Sequence, residues 1–261
     1  MFPIGDENHT IRTPWMTYLL LAALAAVWVL VQGAGFNELA LTASVCNLGL
    51  VPGEITRTAT VGQGIPMGNG LACIVDREPV NWLTPLTSMF LHGGWGHLLG
   101  NALFLWVFGN NVEDSMGRLR FLVFYLLCGL AAAAAQVAIN PASIVPMVGA
   151  SGAISGVLGG YLLLFPRARV RVLFVLVIFI QIVRVPAWIV LLLWIGYQIV
   201  LGLPDLMGVR ADVSAGVAFW AHIGGFAAGL LLVKFFTRSN YLEEHQRAGA
   251  QRFTSRWSGA R

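Results

Sequence analysis

GASGAISGVLGGYLLLF, residues 149–165, is an uncharged run in which glycine, alanine and serine recur along an apolar segment. A transmembrane helix needs about 20 mostly apolar residues, and this run approaches that length once Val148 is included. Small residues also let the backbones of two membrane helices approach each other closely. The stretch therefore predicts a membrane helix that packs tightly against a neighbouring helix.

The rest of the chain has the composition of a membrane protein. Apolar residues make up 57% of the 261 positions and charged residues only 11%, against roughly a quarter charged in soluble domains. A soluble domain of this size buries only about three quarters of its unfolded surface, too little to hide so many apolar side chains. We predict an all-α integral membrane protein, a bundle of six transmembrane helices at residues 14–33, 95–112, 119–138, 148–165, 186–203 and 216–236.

Two other features of the apolar pattern leave alternatives open. Residues 170–183 form a short run rich in Val, Ile and Phe, with Arg171 near its start and Arg184 directly after it, which predicts a loop or a hairpin at the membrane surface. The first run is either a signal peptide or an uncleaved helix. It is longer than the usual signal core and follows Asp6 and Glu7 rather than a basic cluster, so the uncleaved helix is favoured.

The distribution of basic residues predicts the orientation of the bundle. Lys and Arg lie at the ends of apolar runs, which is typical of membrane topology rather than of nucleic-acid binding. With the N-terminus inside, the outside positions are Arg57, Arg77 and Arg210, and Arg184 is ambiguous. The inside positions are far more numerous: Arg12, Arg118, Arg120, Arg167, Arg169, Arg171, Lys234, Arg238, Arg247, Arg252, Arg256 and Arg261. We therefore expect both termini to be cytoplasmic.

This topology divides the chain into three parts: a cytoplasmic tail at 1–13, a membrane domain at 14–238 with a large first extracytoplasmic loop at about 34–94, and a basic cytoplasmic tail at 239–261. We expect the last tail to be disordered or to lie on a surface. Three cysteines are too few for a disulfide framework. Cys46 and Cys73 share the large loop, and the sequence leaves open whether they pair.

Three predicted spans carry a polar side chain at a similar depth. Such residues are costly in hydrocarbon and are functional candidates by default. At 1.5 Å per residue, Ser151 and His222 each lie about 22 Å from the inner ends of their spans, and Asn101 lies about 25 Å from its own. All three depths fall in the outer part of a core about 30 Å thick. We expect these side chains to converge.

Ser151 and His222 have the chemistry of a catalytic dyad. The sixth span carries Gly225 and Gly229 one helical turn apart, so it can cross the fourth span closely. A serine hydroxyl is a weak nucleophile until a neighbouring base takes its proton, and histidine titrates near neutral pH. A triad would add a carboxylate. The spans carry no Asp or Glu at this depth, so a dyad is predicted.

Acyl transfer also needs hydrogen-bond donors for the developing oxyanion. His97 and Asn101 are spaced i, i+4 and share one face of the second span. The backbone N–H of Ser151 is free if the fourth helix begins there, as Pro146 and Gly149 suggest. These three donors are the predicted oxyanion site.

Each of these residues also has an ordinary structural explanation. A serine in a glycine-rich span usually bonds its own i−4 carbonyl, and a His–Asn pair can simply link neighbouring helices. We interpret His92 as a loop residue near the mouth of the site. Glu113 and Arg118 are expected to cap and anchor the second span at the cytoplasmic face, and His9 and His245 are expected to be solvated in the tails.

Four short motifs occur in one order between Thr84 and Phe236: LHGGWGHLLGN at 91–101, FGNNVEDSMGR at 108–118, GASG at 149–152, and AHIGG at 221–225 followed by Gly229. In this combination the chain closely resembles the rhomboid family of intramembrane serine proteases. Any one of the motifs alone is weakly specific, whereas the ordered set is highly specific.

The resemblance implies hydrolysis of peptide bonds in or near the transmembrane segments of single-span membrane proteins. It implies roles for six residues: Ser151 as nucleophile, His222 as general base and then acid, Asn101 and His97 in oxyanion stabilisation, and Gly149 and Glu113 as supporting residues. It implies that the protein acts within the lipid bilayer. It implies no cofactor, metal or nucleic acid. A mobile fifth span and a cap loop before Ala215 would admit substrate, and a bacterial plasma membrane fits the short tails.

The chain departs from the family pattern in two places. Ser155 stands four residues after the serine, where some members have a Tyr that stacks on the histidine, and Leu83-Thr84 replaces a Trp-Arg pair. Two other functions remain as alternatives. A catalytically silent relative would lack Ser151 or His222, and a transporter or channel would place polar groups nearer the midplane.

Overall fold

The computed structural model describes residues 2–76, 78–176, 179–206 and 218–258. The helices in chain order are α1 Trp15–Leu30, α2 Glu38–Leu48, α3 Pro52–Ile55, α4 Thr84–Thr87, α5 Trp95–Phe104, α6 Asn110–Met116, α7 Arg118–Ile139, α8 Ser151–Leu164, α9 Ala187–Leu206, α10 Phe219–Phe236 and α11 Ser239–Ser258. A π-helical turn, Leu105–Gly109, joins α5 to α6 into one continuous helix.

Three of these helices, α7, α9 and α10, are long and apolar enough to cross a membrane by length and composition. Helices α1 and α8 are also apolar but have only 16 and 14 residues. Each of the six predicted spans overlaps one helix or, for the second span, the continuous α5–α6 helix. The expectation of a mainly helical membrane protein is confirmed, and the count of six spans stays a prediction.

The glycine-rich helix α8 lies at the centre of the bundle and packs against α7 and α10. A Cβ atom added at Gly225 would overlap the carbonyl oxygen of Gly152, and one added at Gly229 would overlap that of Gly156. The two backbones are therefore in direct contact, as the small residues of both segments predicted. This close crossing determines how near side chains at the start of α8 come to α10.

The chain is mostly helical, but it also contains two small antiparallel sheets that the all-α prediction lacks. Strands β1 Phe2–Asp6, β4 Arg169–Leu176 and β5 Phe179–Pro186 form an antiparallel sheet in the order β1-β4-β5. The β4–β5 hairpin is one of the two alternatives considered for residues 170–183. Its β-branched residues alternate, with Val170 and Val172 buried and Arg171 exposed, which is the period of a strand packed on one face.

The segment between α1 and α5 is folded on the bundle. It contains α2, α3 and α4 and a hairpin of β2 Gly64–Gly68 and β3 Leu71–Ile74. A disulfide joins Cys46 to Cys73 and so ties α2 to β3. The backbone N–H of Gly149 donates to the carbonyl of Ser88 over 2.8 Å, which attaches this segment to the start of α8.

The expectation of a disordered or surface tail with a solvated His245 is wrong for residue 245. His245 lies in α11 and is 2% exposed. Its Nδ1 lies 2.6 Å from a carboxylate oxygen of Asp114, and its Nε2 lies 2.8 Å from the amide oxygen of Asn8. Two partners satisfy both ring nitrogens, so the imidazole can be buried where α11, α6 and the N-terminal segment meet. His9, by contrast, is exposed as expected.

Glu113 does not cap the second span together with Arg118 as predicted, because its carboxylate caps the start of α1. It accepts hydrogen bonds from the backbone N–H groups of Met16 and Thr17 at 2.9 and 2.7 Å and from the Thr17 hydroxyl at 2.8 Å. The first N–H groups of a helix have no intrahelical acceptor, and a negative charge is favourable there. Glu113 thus holds α1 against α6.

Candidate active site

Ser151 is the first residue of α8, and the residue two positions before it requires glycine. Gly149 has φ of 128°, a conformation that side chains disfavour. A Cβ atom at this position would also lie 2.6 Å from Nε2 of His97. Gly149 therefore lets the chain turn into α8 directly against His97, and it presents the serine at a helix N-terminus.

The hydroxyl of Ser151 lies 2.7 Å from Nε2 of His222. His222 is in the first turn of α10 and is 9% exposed. The close contact of α8 and α10 brings the two side chains together, so the pair follows from the glycines that flank it. This distance is normal for a hydrogen bond in which the hydroxyl donates to the ring nitrogen.

The second ring nitrogen of His222 also has a partner, which sequence analysis missed. Nδ1 lies 2.8 Å from the amide oxygen of Gln198 in α9. The indole of Trp194, one turn earlier on α9, has its centroid 5.7 Å from the imidazole centroid. Gln198 is a polar residue inside an apolar run, so the criterion that singled out Ser151 and His222 would also have found it.

The predicted oxyanion donors lie around Gly149. The side chain of Asn101 is buried, and its Nδ2 has no hydrogen-bond partner among the residues that the structure describes. Nδ1 of His97 accepts from the backbone N–H of Gly93 over 3.4 Å, which leaves Nε2 facing Gly149. The structure thus brings His97 and Asn101 together beside the start of α8, with donor groups that no described residue uses.

A cavity of about 940 Å³ opens onto these residues. The described residues that line it include Ser151, His222, Gln198, His97 and Asn101, and none of them is Asp or Glu. This volume lies at the upper end of the range for small-molecule sites. The predicted cap loop before Ala215 lies outside the described residues.

His92 is buried rather than placed at the mouth of the cavity. Its backbone N–H and carbonyl are both held by the side-chain amide of Gln32, each over 2.8 Å. Its ring meets that of His97 edge to face at 5.1 Å. Burial lowers the pKa of His92 to about 3, so the ring is neutral. His92 therefore packs behind His97 rather than facing the cavity.

Ser155 lies one helical turn after Ser151, and its hydroxyl donates to the carbonyl of Ser151 over 2.6 Å. This is the back-bonding typical of serine inside a helix. Ser155 is therefore a serine of ordinary structural role next to one that faces a histidine.

In the described part of the chain, no group of three His, Cys, Asp or Glu side chains is arranged to hold a metal ion.

A family model described as the rhomboid domain matches residues 79–239, well over half of the chain. Over 81 residues the chain is 43% identical to the rhomboid protease GluP of Bacillus subtilis (strain 168), covering 31% of this chain and 15% of that protein. Over 106 residues it is 32% identical to the putative rhomboid protease YdcA of the same organism, covering 41% and 48%. It is also 33% identical over 147 residues to RHOMBOID-like protein 4 of Arabidopsis thaliana, covering 56% and 32%.

Each of these three matches spans less than half of the relative's own length. The family match, in contrast, covers all four sequence motifs and every residue that faces the cavity from α5, α8, α9 and α10. The resemblance inferred from the motifs is confirmed: this chain belongs to the rhomboid family.

Proposed function

We propose that this chain is an intramembrane serine endopeptidase that cleaves transmembrane segments of single-span membrane proteins. The observation that carries the proposal is the 2.7 Å contact between the Ser151 hydroxyl and Nε2 of His222 on the wall of a large cavity. Relatives named as rhomboid proteases support it.

In the proposed reaction, Ser151 attacks the carbonyl carbon of the scissile bond while its proton passes to Nε2 of His222. The transfer makes a poor nucleophile effective, because the hydroxyl needs a base within hydrogen-bond reach. The helix N-terminus at Ser151 adds a favourable dipole for the negative charge that develops on the carbonyl oxygen.

The oxyanion of the tetrahedral intermediate would be held by Asn101, His97 and the backbone N–H of Ser151. The amide of Asn101 suits this role because its buried Nδ2 has no other partner among the described residues. An unsatisfied buried donor is costly in the resting protein, and the cost is relieved when an oxyanion arrives.

Collapse of the intermediate breaks the peptide bond, and His222 gives its proton to the leaving amine. The acyl-enzyme on Ser151 is then attacked by water, with His222 again acting as base and the carboxylic acid leaving as product. These steps use side chains and water alone. Neither a cofactor nor a metal enters the proposed mechanism.

The membrane arrangement is part of the proposal: six spans, both termini cytoplasmic, a bacterial inner (plasma) membrane, and a cavity open to the outside. Two observations support this orientation. The Cys46–Cys73 disulfide lies in the segment attached to the cavity end of α8, and disulfides persist in oxidising compartments. Arg118, Arg120 and Lys234 lie near the opposite ends of their helices, as the positive-inside rule requires.

The test uses purified protein in liposomes with two readouts: cleavage of a fluorescent transmembrane-helix substrate, and covalent labelling of the active serine by a fluorophosphonate. We expect both in the wild type and neither in Ser151→Ala. His222→Ala should lose cleavage and nearly all labelling.

Ser239→Ala and His9→Ala are the matched controls, since each removes the same functional group at an exposed position that does not line the cavity. Both should retain activity. Labelling that persists in Ser151→Ala would contradict the assignment of the nucleophile. A wild type without cleavage or labelling would favour the catalytically silent alternative, and crosslinking would then show which membrane proteins it binds.

A further inference from the structure

Gln198 is a buried amide in the middle of an apolar helix, and it directs its oxygen at the base of the dyad. It is 6% exposed, and its Oε1 lies 2.8 Å from Nδ1 of His222. A polar side chain in such a segment is costly unless it is paired. Its contact is with the ring nitrogen that the serine does not use.

An amide oxygen can only accept a hydrogen bond, so the contact selects one form of the neutral imidazole. When Nδ1 carries the proton and donates it to Gln198, the lone pair of Nε2 points to Ser151. The opposite tautomer would place a proton on Nε2 and remove the base. The partner of the second nitrogen therefore decides whether His222 can accept the serine proton.

The same contact continues through the reaction. After proton transfer both nitrogens carry hydrogen, and the Gln198 oxygen accepts from Nδ1 of the imidazolium while its dipole faces the positive charge. In a triad a carboxylate has this position and function. Among the described residues lining the cavity there is no carboxylate, so Gln198 is the acceptor in that position.

Helix α9 contacts the imidazole twice. The ring centroid of Trp194 lies 5.7 Å from that of His222, with the two planes tilted by 41°. It lies 6.3 Å from the ring centroid of Phe226 in α10. Residues 194 and 198 are one turn apart and so lie on one face of α9. The alignment of the base therefore depends on α9 remaining seated against α10.

We propose that Gln198 is a positioning residue that fixes the reactive tautomer and orientation of His222, making the dyad in effect a Ser–His–Gln triad whose third member belongs to α9. This inference rests on the proposed protease function, because a tautomer preference matters to activity only if His222 is the base.

The test compares Gln198→Leu, which removes the acceptor at similar size, with Gln198→Glu, which keeps an acceptor oxygen. For the leucine variant we expect kcat to fall 10- to 100-fold, the range found for groups that orient a metal-ligating histidine, while KM stays within about twofold. The glutamate variant should retain most of the activity. Its acid limb in the pH–kcat profile should move to higher pH, since a nearby carboxylate favours the imidazolium.

A second readout follows the tautomer directly. In protein labelled with ¹⁵N-histidine, the signals of His222 are assigned by their loss in His222→Ala. The wild type should show Nδ1 protonated and Nε2 bare, whereas Gln198→Leu should show a mixture of tautomers. Ile199→Ala, on the exposed side of the same helix, should change neither the spectrum nor kcat.

The outcomes separate the two proposals. If the wild type is active and labels at Ser151, but Gln198→Leu keeps both wild-type kcat and a pure Nδ1–H form, the positioning role is overturned and the protease stands. If the wild type neither cleaves nor labels, the protease proposal fails, and the tautomer spectrum still tests the contact. Should the leucine variant fail to fold, Gln198→Met supplies the same loss of the acceptor with a more flexible side chain.

Discussion

The two ends of the helix bundle differ in what their polar side chains contact. At the dyad end, formed by Ser151, His222, Gln198, His97 and Asn101, the groups face a cavity, and Asn101 keeps a buried donor without a partner among the described residues. The polar groups there are positioned but not all satisfied.

At the clamp end, formed by Asp6, Glu113, Asp114, Tyr161 and His245, each carboxylate accepts at least two hydrogen bonds. These bonds join the N-terminal segment, α1, α6, α8 and α11. Buried carboxylates are tolerated only when they are paired. These hydrogen bonds hold the five segments together at the clamp end. The comparison separates residues that should affect turnover from residues that should affect stability.

The largest expected effect is the loss of turnover when the dyad is broken. Ser151→Ala and His222→Ala should each lower kcat/KM by at least about 10⁴-fold, because the two groups act in one proton transfer. The double variant should be no worse than about tenfold below either single variant. Steady-state kinetics in liposomes measure this, and losses that multiply would show that the residues act independently. The thermal midpoint should barely change in Ser151→Ala.

Asp114 provides the opposite test at the clamp end. Its carboxylate is fully buried and accepts from Ile11, Arg12 and His245, so Asp114→Ala leaves the buried imidazole of His245 and two backbone N–H groups without this acceptor. We expect a loss of about 3–5 kcal/mol in the free energy of unfolding, measured by denaturant titration in mild detergent. Activity per folded molecule should be unchanged.

The control for this variant is Glu243→Ala. Glu243 pairs with Arg247 on the exposed face of α11, and such surface pairs contribute less than about 1 kcal/mol. If Asp114→Ala were as stable as the control but catalytically impaired, the division between the two ends would be wrong.

Asn101 tests whether an unsatisfied donor at the dyad end serves the transition state. Asn101→Ala should lower kcat by about 10²- to 10³-fold, the usual effect of removing one oxyanion donor. Stability should change little or rise, because an unpaired buried amide is removed. Single-turnover acylation rates and thermal midpoints measure both quantities. A rise in KM with unchanged kcat would instead indicate that Asn101 binds the ground state.

Much of the dyad end could be predicted from the sequence because its signals are local. The glycine pattern of α8 and α10 predicts the close crossing, and a polar residue in an apolar run stands out by its cost. Gln198 meets the same criterion, but glutamine is not a residue type that acts directly in acyl transfer, so its role does not follow from the sequence. Whether the side chain of Gln198 faces His222 depends on how α9 packs against α10.

The clamp end was predicted poorly because its contacts are non-local. Phe2 pairs with Leu173, which lies far along the chain. His245 contacts Asp114 from α11, a helix with a polar sequence. A buried histidine in a basic tail has no local signature that distinguishes it from a solvated one. Glu113 is close to Arg118 in sequence, but its carboxylate caps the first turn of α1, which is distant in sequence.

The smallest expected effect is a pH dependence of the N-terminal strand. Burial raises the pKa of Asp6 to about 6, even though Tyr161 and the backbone of Asn8 donate hydrogen bonds and His245 and Arg171 contribute favourable charge. The folded protein therefore holds the proton more tightly than an open strand, whose Asp6 has the ordinary value of 3.8. The stabilisation of the folded strand by protonated Asp6 is complete below pH 3.8 and is lost as the pH rises through about 6, a difference of at most about 3 kcal/mol.

Hydrogen exchange of β1, corrected for intrinsic rates, should thus show weaker protection at pH 7 than at pH 5. Asp6→Asn should abolish this trend and Glu7→Gln, one residue further on, should preserve it. Protection that increases toward pH 7 would mean that the ionised carboxylate is the form that fastens the strand, and the clamp end would then owe its strength to charge rather than to satisfied hydrogen bonds.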